Sequence, residues 1–441
     1  MIKNVSYMAS KIAEVTNGIL VGDNCEITSI SLNSRECEEN TCFFAIKGEN
    51  FDGHDYVDQA IQNGAKLIIA QKLIDVSVSI IYVNDVIMAL GLLAKEHKGD
   101  TKVIGITGSV GKTTTKNMIK AVLSEKYSVC GTEKNYNNEI GVPLTLLSIT
   151  NEDYCVVEMG MRGLGQIDWL AYICKPEIVV ITNCTEAHLE ALKSRENIFN
   201  AKTEILNYNP SIAIVPYEER FVTFNYQATK TIFLGKGGDN YIERIIENSD
   251  DMEITLKTGE KYRLNSIFKC NAYNSLIAYT VGKLLNVSNE KIRNGLLKFK
   301  KEENREEVIK LGQTTIINDC YNASYESMKE VILSATDYAK RNNKKLYFLL
   351  GDMLELGNDS GEFHKEIGAI CKQSGANGAF LYGKFAKFIQ KGLDGGELIE
   401  NNDKYLDRIA MQIKGGVLLV KASRKANFEK IIDKLKEKLN E

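Results

Sequence analysis

The chain has 441 residues, enough for about three domains at roughly 150 residues each. Its formal net charge is −3, so the composition gives no reason to expect nucleic acid as a partner. No apolar run approaches the ~20 residues of a membrane span, and the N-terminus lacks the apolar core of a signal peptide. The 10 cysteines show no Cys-x-x-Cys spacing, which is typical of reduced thiols in the cytoplasm. We therefore expect a cytoplasmic protein.

The first 98 residues alternate short apolar runs with helical patterns. The helix expected over 85–97 carries its apolar residues on one face, at Ile87, Leu90, Leu93 and Ala94. This pattern predicts a small N-terminal α/β domain over 1–98, with a hinge near Gly99. The strands expected in it are 27–32, 42–46, 67–70 and 80–83.

A β-branched run at 103–106 predicts a buried parallel strand, and a glycine-rich turn and an amphipathic helix follow it. In this order the N–H groups of the turn and the helix N-terminus bind anionic oxygens. The usual motif has a glycine at the position of Ile106, so this chain has the shorter Thr-Gly-x-x-Gly-Lys-Thr form. Lys112 adds positive charge, and the Thr113 hydroxyl can bind Mg²⁺. The residues predicted to hold the phosphates of a nucleotide are Gly108, Ser109, Val110, Gly111, Lys112, Thr113 and Thr114.

The strand and helix patterns continue in alternation through 99–300, which predicts a central parallel sheet with helices on both faces. Its further strands are expected at 155–158, 178–183, 212–215 and 231–234. A hairpin at 252–267 and helices at 273–286 and 289–299 complete this P-loop domain. A charged run at 298–307 then predicts a linker or exposed entry, with a second hinge near residue 300.

The remaining residues, 301–441, repeat the α/β alternation, with strands expected at 315–318, 346–350, 379–382 and 417–420. The expected architecture is therefore a three-domain α/β protein. It has a small N-terminal α/β domain, a central P-loop domain and a Rossmann-like C-terminal domain.

Glu158 ends the strand expected at 155–158. The carboxyl ends of parallel strands face the ligand crevice, so this carboxylate is a candidate Mg²⁺ ligand beside the P-loop. The alternative is a glutamate that is merely solvated.

His188 and Lys202 are weaker candidates on the residues alone. His188 follows the strand at 178–183 and leaves the same edge of the sheet, although a lone histidine is more often structural. Lys202 lies on the inward face of a helix expected over 194–208, between Ile198 and Ile205. A lysine stem that carries its ammonium to the surface is the reading that the residues alone favour.

The loop with Asn135, Asn137 and Asn138 is compatible with substrate contact or with simple turn chemistry, and both remain open. Asp319 and Asp352 each follow a predicted strand of the last domain. They are expected at a ligand crevice, with a helix cap as the alternative.

These motifs together resemble the Mur ligase family over the whole length of the chain. In the first domain the similar segments are 33–35 (Asn-Ser-Arg), 42–48 (Cys-Phe-Phe-Ala-Ile-Lys-Gly) and 51–54 (Phe-Asp-Gly-His). In the central domain they are 107–115, 137–144, 158–160, 187–189 and 201–202. In the last domain they are 319–323 (Asp-Cys-Tyr-Asn-Ala) and 351–357 (Gly-Asp-Met-Leu-Glu-Leu-Gly). The folylpolyglutamate synthetases share the P-loop form.

The resemblance implies roles for individual residues. Catalytic roles fall to Lys112, His188 and Lys202. Two Mg²⁺ ions are implied, one at Thr113 and Glu158, the other at His188 and a CO₂-modified (carbamylated) Lys202. ATP contacts beyond the P-loop are implied for Asn274, Arg305 and Asp319. The UDP end of the substrate would lie at Ser34 and Arg35, and the other substrate contacts implied are Lys47, Asp52, His54, Asn137, Asn138, Asn322, Asp352 and Glu355.

The implied activity is ATP-dependent joining of D-alanyl-D-alanine to UDP-N-acetylmuramoyl tripeptide through an acyl phosphate, by a monomer without a nucleic-acid partner. Three departures stand near the expected meeting point of amine and ATP: Ser324-Tyr325 for Asn-Pro, Ala422 for Gly, and Cys270 for His. They leave open a ligase that adds a different amino acid or dipeptide. An ATP-gated binding module without ligation is the alternative from another class.

Overall fold

The structure is a computed structural model that describes residues 1–185, 192–354, 356–400 and 403–440. Within these ranges it contains three six-stranded sheets and one three-stranded sheet, joined by helices. The predicted α/β class, with a central parallel sheet and helices on both of its faces, is confirmed.

The N-terminal sheet has the strand order β1-β3-β4-β5-β6-β2. Its inner pairs are parallel, whereas β1 and β2 add antiparallel edges that were not predicted. The strands are β1 Ile2–Met8, β2 Ile19–Val21, β3 Glu26–Ser31, β4 Thr41–Phe44, β5 Ala65–Ala70 and β6 Ser79–Tyr82. The helices are α1 Ala9–Thr16, α2 Val57–Gln62 and α3 Val86–His97.

The central sheet has the order β12-β11-β10-β7-β9-β8, and every pair in it is parallel. Successive residues of its strands enter two different cores: Val103 packs on one face and Ile104 on the other. The strands are β7 Lys102–Thr107, β8 Val129–Gly131, β9 Tyr154–Glu158, β10 Ile178–Ile181, β11 Ile212–Pro216 and β12 Lys230–Leu234. The helices are α4 Lys112–Leu123, α5 Gly141–Leu147, α6 Gln166–Cys174, α7 Arg195–Thr203 and α8 Glu219–Val222.

A three-stranded antiparallel sheet follows, with the order β13-β14-β15. It contains the predicted hairpin, which turns at Gly259 with φ +80°, and one further strand that was not predicted. The strands are β13 Ile242–Glu247, β14 Met252–Leu256 and β15 Lys261–Leu264. Two helices, α9 Cys270–Leu284 and α10 Asn289–Lys298, then cover the P-loop helix α4.

The C-terminal sheet has the order β16-β17-β21-β18-β19-β20, in which only the β16–β17 pair is antiparallel. Strand β16 begins at Glu307, so the charged run predicted as a linker ends inside a strand. The strands are β16 Glu307–Leu311, β17 Thr314–Asn318, β18 Leu346–Leu350, β19 Gly378–Leu381, β20 Glu397–Leu398 and β21 Val417–Lys421. The helices are α11 Tyr325–Arg341, α12 Ser360–Ser374, α13 Ala386–Leu393, α14 Asp403–Ile413 and α15 Phe428–Asn440.

The boundary near Gly99 is apolar. One continuous core joins the N-terminal domain to one face of the central sheet. Gly91 of α3 packs so closely on Trp169 that a Cβ there would lie 2.6 Å from the indole ring. The ring nitrogens of His97 bind the Tyr7 hydroxyl and the Ile149 carbonyl oxygen, each at 2.9 Å. This burial opposes the hinge motion that the sequence led us to expect here.

The boundary near residue 300 combines a small apolar contact with many charges. Ile267 and Phe268 of the central domain pack into the core of the C-terminal domain. Around them lie four ion pairs, which we call the charged seam: Lys269–Asp337 at 2.7 Å, Lys269–Glu247 at 2.9 Å, Lys310–Asp250 at 2.7 Å, and Arg341–Glu247.

Candidate active site

The P-loop is held in shape by the end of the neighbouring strand β10. The Thr182 hydroxyl donates to the Val110 carbonyl oxygen at 2.7 Å. Asn183 Oδ1 accepts from the backbone N–H groups of Ser109 and Val110 at 3.1 and 3.0 Å. These two N–H groups were expected to bind phosphate, but both donate hydrogen bonds to Asn183 within the protein. A Cβ on Gly108, which has φ +151°, would lie 1.9 Å from the Thr182 hydroxyl oxygen, so no other residue fits.

Thr182 and Asn183 were not among the predicted site residues. The register of the sheet pairs Ile181 with Thr107, so the residues that follow the two strands meet. The strand-end rule that selected Glu158 would have found them as well.

Gly111 and Lys112 form the start of helix α4. Gly111 has φ +82°, and a Cβ there would lie 2.7 Å from Asn274 Oδ1. The Lys112 ammonium donates to the carbonyl oxygens of Gly108 and Ser109 at 2.8 and 3.2 Å, so it lies over the turn. The first-turn N–H groups of a helix have no intrahelical acceptor, which makes this end of α4 a binding site for anionic oxygens.

Glu158 lies beside the P-loop, as predicted, and only 2% of it is exposed. Its carboxylate accepts from the Thr113 hydroxyl and from Asn137 Nδ2, both at 2.8 Å. It forms no ion pair with any described residue. Because this carboxylate is almost fully buried, the alternative of a solvated glutamate is wrong. Burying a carboxylate without a cation is costly.

Lys202 is 1% exposed, so the favoured alternative of an ammonium at the surface is wrong. Burial, and next the charge of Lys112, lowers the pKa of Lys202 to about 7. Across the part of the chain that the structure describes, its side chain has no hydrogen bond or ion pair. His188, its predicted companion, lies outside the described residues.

The asparagine loop divides between the two readings that the sequence left open. Asn138 Oδ1 accepts from the Gly141 N–H at 2.9 Å and caps helix α5, which is turn chemistry. Asn137, by contrast, binds Glu158 and stands at the edge of the site.

The C-terminal domain contributes a second wall to the site. Lys421, 1% exposed, pairs with Asp319 and donates to the Asn322 carbonyl oxygen at 2.9 Å. The Arg305 guanidinium lies 3.9 Å from the ring centroid of Tyr321, in cation–π geometry. Lys421 and Tyr321 were not predicted as site residues.

The two walls enclose a cleft of about 2040 Å³. Its lining brings together the predicted residues Ser109 to Thr114, Asn137, Asn138, Glu158, Asn274, Arg305, Asp319 and Asn322. Glu49 of the N-terminal domain also reaches it. The cleft can therefore hold a nucleotide and a second reactant against one carboxylate-rich site.

The predicted residues of the N-terminal domain do not line this cleft. Ser34 donates to Gln59 Oε1 at 2.7 Å, and Arg35 and Lys47 are exposed. The Asp52 carboxylate binds Lys72 and His54, and these contacts, chiefly that with Lys72, hold the pKa of Asp52 well below its usual range.

Asp352 accepts from the N–H groups of Lys384 and Phe385 at 2.8 and 2.9 Å. It thus holds the turn before α13 and does not cap the next helix, α12, as the helix-cap alternative expected. Glu355 lies outside the described residues.

Among the described residues, no group of three or more His, Cys, Asp or Glu side chains could hold a metal ion. A metal at Glu158 would thus need hydroxyl and phosphate oxygens to complete its ligands. None of the described helices combines the length and apolar character that crossing a membrane requires.

The sequence matches three Mur ligase domain families in order. The Mur ligase family catalytic domain matches residues 26–98. The Mur ligase middle domain matches 106–282, and the Mur ligase glutamate ligase domain matches 304–424.

Similar proteins and structures cover the whole chain. A UDP-N-acetylmuramoyl-tripeptide–D-alanyl-D-alanine ligase of Bacillus subtilis is 35% identical, over 98% of this chain and 99% of its own. The corresponding Escherichia coli ligase is 29% identical over 98% and 99%. The crystal structure of MurF from Acinetobacter baumannii superposes with a TM-score of 0.92 at 29% identity, covering 99% of this chain and 100% of that one. MurF ligase from Thermotoga maritima in complex with ADP gives 0.84 at 30% identity, covering 93% and 97%. This chain belongs to the Mur ligase family.

Proposed function

We propose that this protein is an ATP-dependent ligase that joins D-alanyl-D-alanine to UDP-N-acetylmuramoyl tripeptide. The observation that carries the proposal is the cleft itself. It places a P-loop and a buried carboxylate on one wall, opposite charged residues of the C-terminal domain. The full-length similarity to ligases of this specificity supports the same substrates.

The chemistry explains why a P-loop is needed. A carboxylate at neutral pH is a poor electrophile, so its oxygen first attacks the γ-phosphorus of ATP, with ADP as the leaving group. The resulting acyl phosphate is attacked by the neutral amine, and the tetrahedral intermediate expels phosphate. One C–N bond forms, and the amine proton passes to a base or to water. Positioning and charge neutralisation dominate such a reaction.

The residues of the two walls divide this work. Lys112 neutralises charge on the transferring phosphoryl group, and the first turn of α4 binds the phosphates through its N–H groups. Thr182 and Asn183 keep the loop rigid, so that little reorganisation accompanies the reaction. Asn274 and Arg305 reach the nucleotide from the sides of the cleft.

The donor set fits Mg²⁺ at one place. Thr113 and Glu158 offer a hydroxyl and a buried carboxylate without a cation, and hard oxygen ligands are those that Mg²⁺ prefers. When bound, the ion supplies charge neutralisation at the phosphates. We assign the first ion to these two residues.

We assign a second ion to His188 and a carbamylated Lys202. The support in this structure is the buried Lys202 side chain, whose lowered pKa makes the neutral amine available to CO₂. A carbamate converts a costly buried cation into an anion with two oxygen ligands.

The N-terminal domain would hold the UDP end through Ser34 and Arg35, with Lys47, Asp52 and His54 nearby in sequence. We expect the protein to act as a cytoplasmic monomer, where ATP and the UDP-linked substrate are present.

A different amine remains the second candidate, because the departures from the family pattern lie in the cleft region. Ser324, a cleft residue, is the N-cap of α11, and the Tyr325 ring packs on Phe363 with centroids 5.0 Å apart. These residues lie near the wall where we expect the incoming amine.

One assay tests both proposals. Purified protein, ATP, Mg²⁺ and UDP-N-acetylmuramoyl tripeptide are incubated with a panel of single amino acids and dipeptides, and the product is read by mass. We expect ADP release that requires both the UDP substrate and D-alanyl-D-alanine. ADP release with another amine would identify a different ligase, and hydrolysis without any amine dependence would contradict ligation.

A further inference from the structure

Glu306 lies in the linker, between the central and C-terminal domains. Its backbone is left-handed, with φ +52°, which places its N–H against Asp319 Oδ1 at 3.1 Å. Its carbonyl oxygen accepts from the Lys301 ammonium at 3.1 Å. Its carboxylate points back to the central domain and accepts from Asn271 Nδ2. A strained backbone held by contacts on both sides indicates a position that the fold determines closely.

The contact with Asn271 begins a chain of amides that ends at the P-loop. Asn271 is fully buried, and its Oδ1 accepts from Asn274 Nδ2 at 3.0 Å. Asn274, 4% exposed, turns its own Oδ1 toward Gly111. Three side chains therefore connect the linker to the loop that binds phosphate.

The polarity of this chain follows from its first member. An ionised carboxylate only accepts hydrogen bonds, so Asn271 must direct its NH₂ group to Glu306 and its oxygen to Asn274. Asn274 must then direct its NH₂ group to Asn271 and its oxygen to the P-loop. The Ser266 hydroxyl, which also contacts Asn271 at 2.9 Å, can donate or accept and so does not decide the orientation.

We propose that Glu306 is a positioning residue that sets the orientation of the Asn274 amide, and hence presents a hydrogen-bond acceptor to the nucleotide beside Gly111. The acceptor suits an N–H or O–H donor of the nucleotide. This inference rests on the proposed function in one respect, namely that the cleft binds ATP and its product ADP.

Ionisation of Glu306 gives the inference a pH dependence. Burial first, and next the Asp319 carboxylate, raises the pKa of Glu306 to about 7. Above that pH the carboxylate is ionised and the amides keep the orientation described. Below it, the protonated acid can donate to Asn271, and both amides then turn over. The titratable and charged groups that face Glu306 are Cys270, Lys301, Asp319 and Lys421.

The test measures the affinity of the protein for ADP with Mg²⁺ by calorimetry, from about pH 6 to about pH 8.5. We expect Glu306→Met to weaken ADP binding about tenfold above pH 7, the value of one hydrogen bond of this kind. In the wild type the affinity falls as pH drops through about 7. In Glu306→Gln, whose side chain has nearly the same shape but does not titrate, the part of this step that is due to Glu306 disappears and the step becomes smaller.

Glu307→Gln is the matched control, since the neighbouring carboxylate accepts from Asn318 Nδ2 at 2.9 Å within the C-terminal domain. We expect it to keep the wild-type step with pH. A step that persists unchanged in Glu306→Gln would overturn the proposal.

A double-mutant cycle tests the path through Asn274. If Glu306 acts through Asn274, Glu306→Met costs little further affinity in an Asn274→Ala background. Fully additive losses would contradict the proposal. Absence of ADP binding by the wild type would instead contradict the proposed function, so the two failures are distinguishable.

Discussion

Each side of the cleft contains a lysine that is only 1% exposed, but the two lysines differ in whether they have a charged partner. On the C-terminal wall, Lys421 is paired with Asp319 and bonded to the Asn322 carbonyl oxygen. On the P-loop wall, Lys202 has no partner among the described residues, and its pKa is lowered to about 7. One buried lysine beside the cleft therefore has a charged partner, and the other has none among the described residues.

The difference indicates where ligands supply the missing partners. Among the residues that the structure describes, the buried Glu158 carboxylate beside the P-loop has no cation and the buried Lys202 amine has no anion. On the C-terminal wall, by contrast, the buried Lys421 and Asp319 pair with each other. We therefore expect metal and phosphate to bind at the P-loop wall, with the C-terminal wall facing them across the cleft.

The largest effect is expected at Lys112. Lys112→Ala removes the positive charge at the transferring phosphoryl group and should lower kcat by roughly 10²–10³-fold or more. The circular dichroism spectrum should not change, because Lys112 lies in a phosphate-binding turn and not in an apolar core. Near-normal turnover would mean that the P-loop wall does not carry the reaction.

The next effect concerns Lys202. Lys202→Ala should lose most of the activity and regain part of it with added short carboxylic acids, which supply the two oxygens of the carbamate. Lys202→Arg should stay inactive, because it keeps a positive charge and cannot react with CO₂. We would measure steady-state rates with and without acetate. In the protein that retains Lys202, mass spectrometry would look for an added mass on this side chain that is lost in acid.

The Lys202→Arg variant can also contradict the carbamate hypothesis for Lys202. An active arginine variant, together with an unmodified Lys202 in the wild type, would show that the amine is a structural feature. The P-loop wall would then need no anion at this position.

The Lys421–Asp319 ion pair of the C-terminal wall is tested by measuring the stability of variants. Asp319→Ala leaves the Lys421 ammonium buried without its carboxylate, and should lower the free energy of unfolding by about 3–5 kcal/mol. Replacing both partners, Asp319→Leu with Lys421→Met, should restore most of this loss. Lys202→Met, by contrast, should leave stability unchanged or raise it. Urea unfolding of the metal-free protein measures all three, and equal losses of stability in Asp319→Ala and Lys202→Met would remove the contrast between the walls.

The smallest effect is expected away from both walls, at Arg35. Its exposed guanidinium should contact the UDP end of the substrate, far from the reacting atoms. Arg35→Ala should raise KM for the UDP substrate about tenfold and change kcat little, the pattern of uniform binding. Arg35→Lys serves as the control for charge alone. An unchanged KM would exclude Arg35 from substrate binding.

The sequence predicts well wherever one rule of parallel sheets applies. Strand ends meet at one edge, so Thr113 and Glu158 could be placed together before the structure was known. The edge strands β1 and β13 were not predicted because their apolar residues do not alternate regularly and are mostly not buried, and the β1 pairing is irregular between Lys3 and Tyr7.

The buried charges could not be predicted, for a physical reason. An amphipathic helix pattern shows that the Lys202 stem faces inward but not where the ammonium ends. Glu306 stands in a charged run, which by itself indicates an exposed linker. Its partners come from two domains that are distant in sequence, Asn271 and Asp319, so only the assembled fold reveals them.

The charged seam has a consequence for how the protein responds to its solvent. Ile267 and Phe268 form an apolar pivot, whereas the seam around it consists of ion pairs that dissolved salt screens over about 8 Å at physiological ionic strength. Added salt should therefore weaken the ion pairs of the charged seam near residue 300, while the apolar contact of Ile267 and Phe268 is kept. The boundary near Gly99 is mainly apolar, apart from the hydrogen bonds of His97 and a cation–π contact between Lys95 and Tyr172, so we expect it to respond less to salt. The ionic strength of the solvent therefore affects the boundary near residue 300, whereas apolar packing dominates the boundary near Gly99.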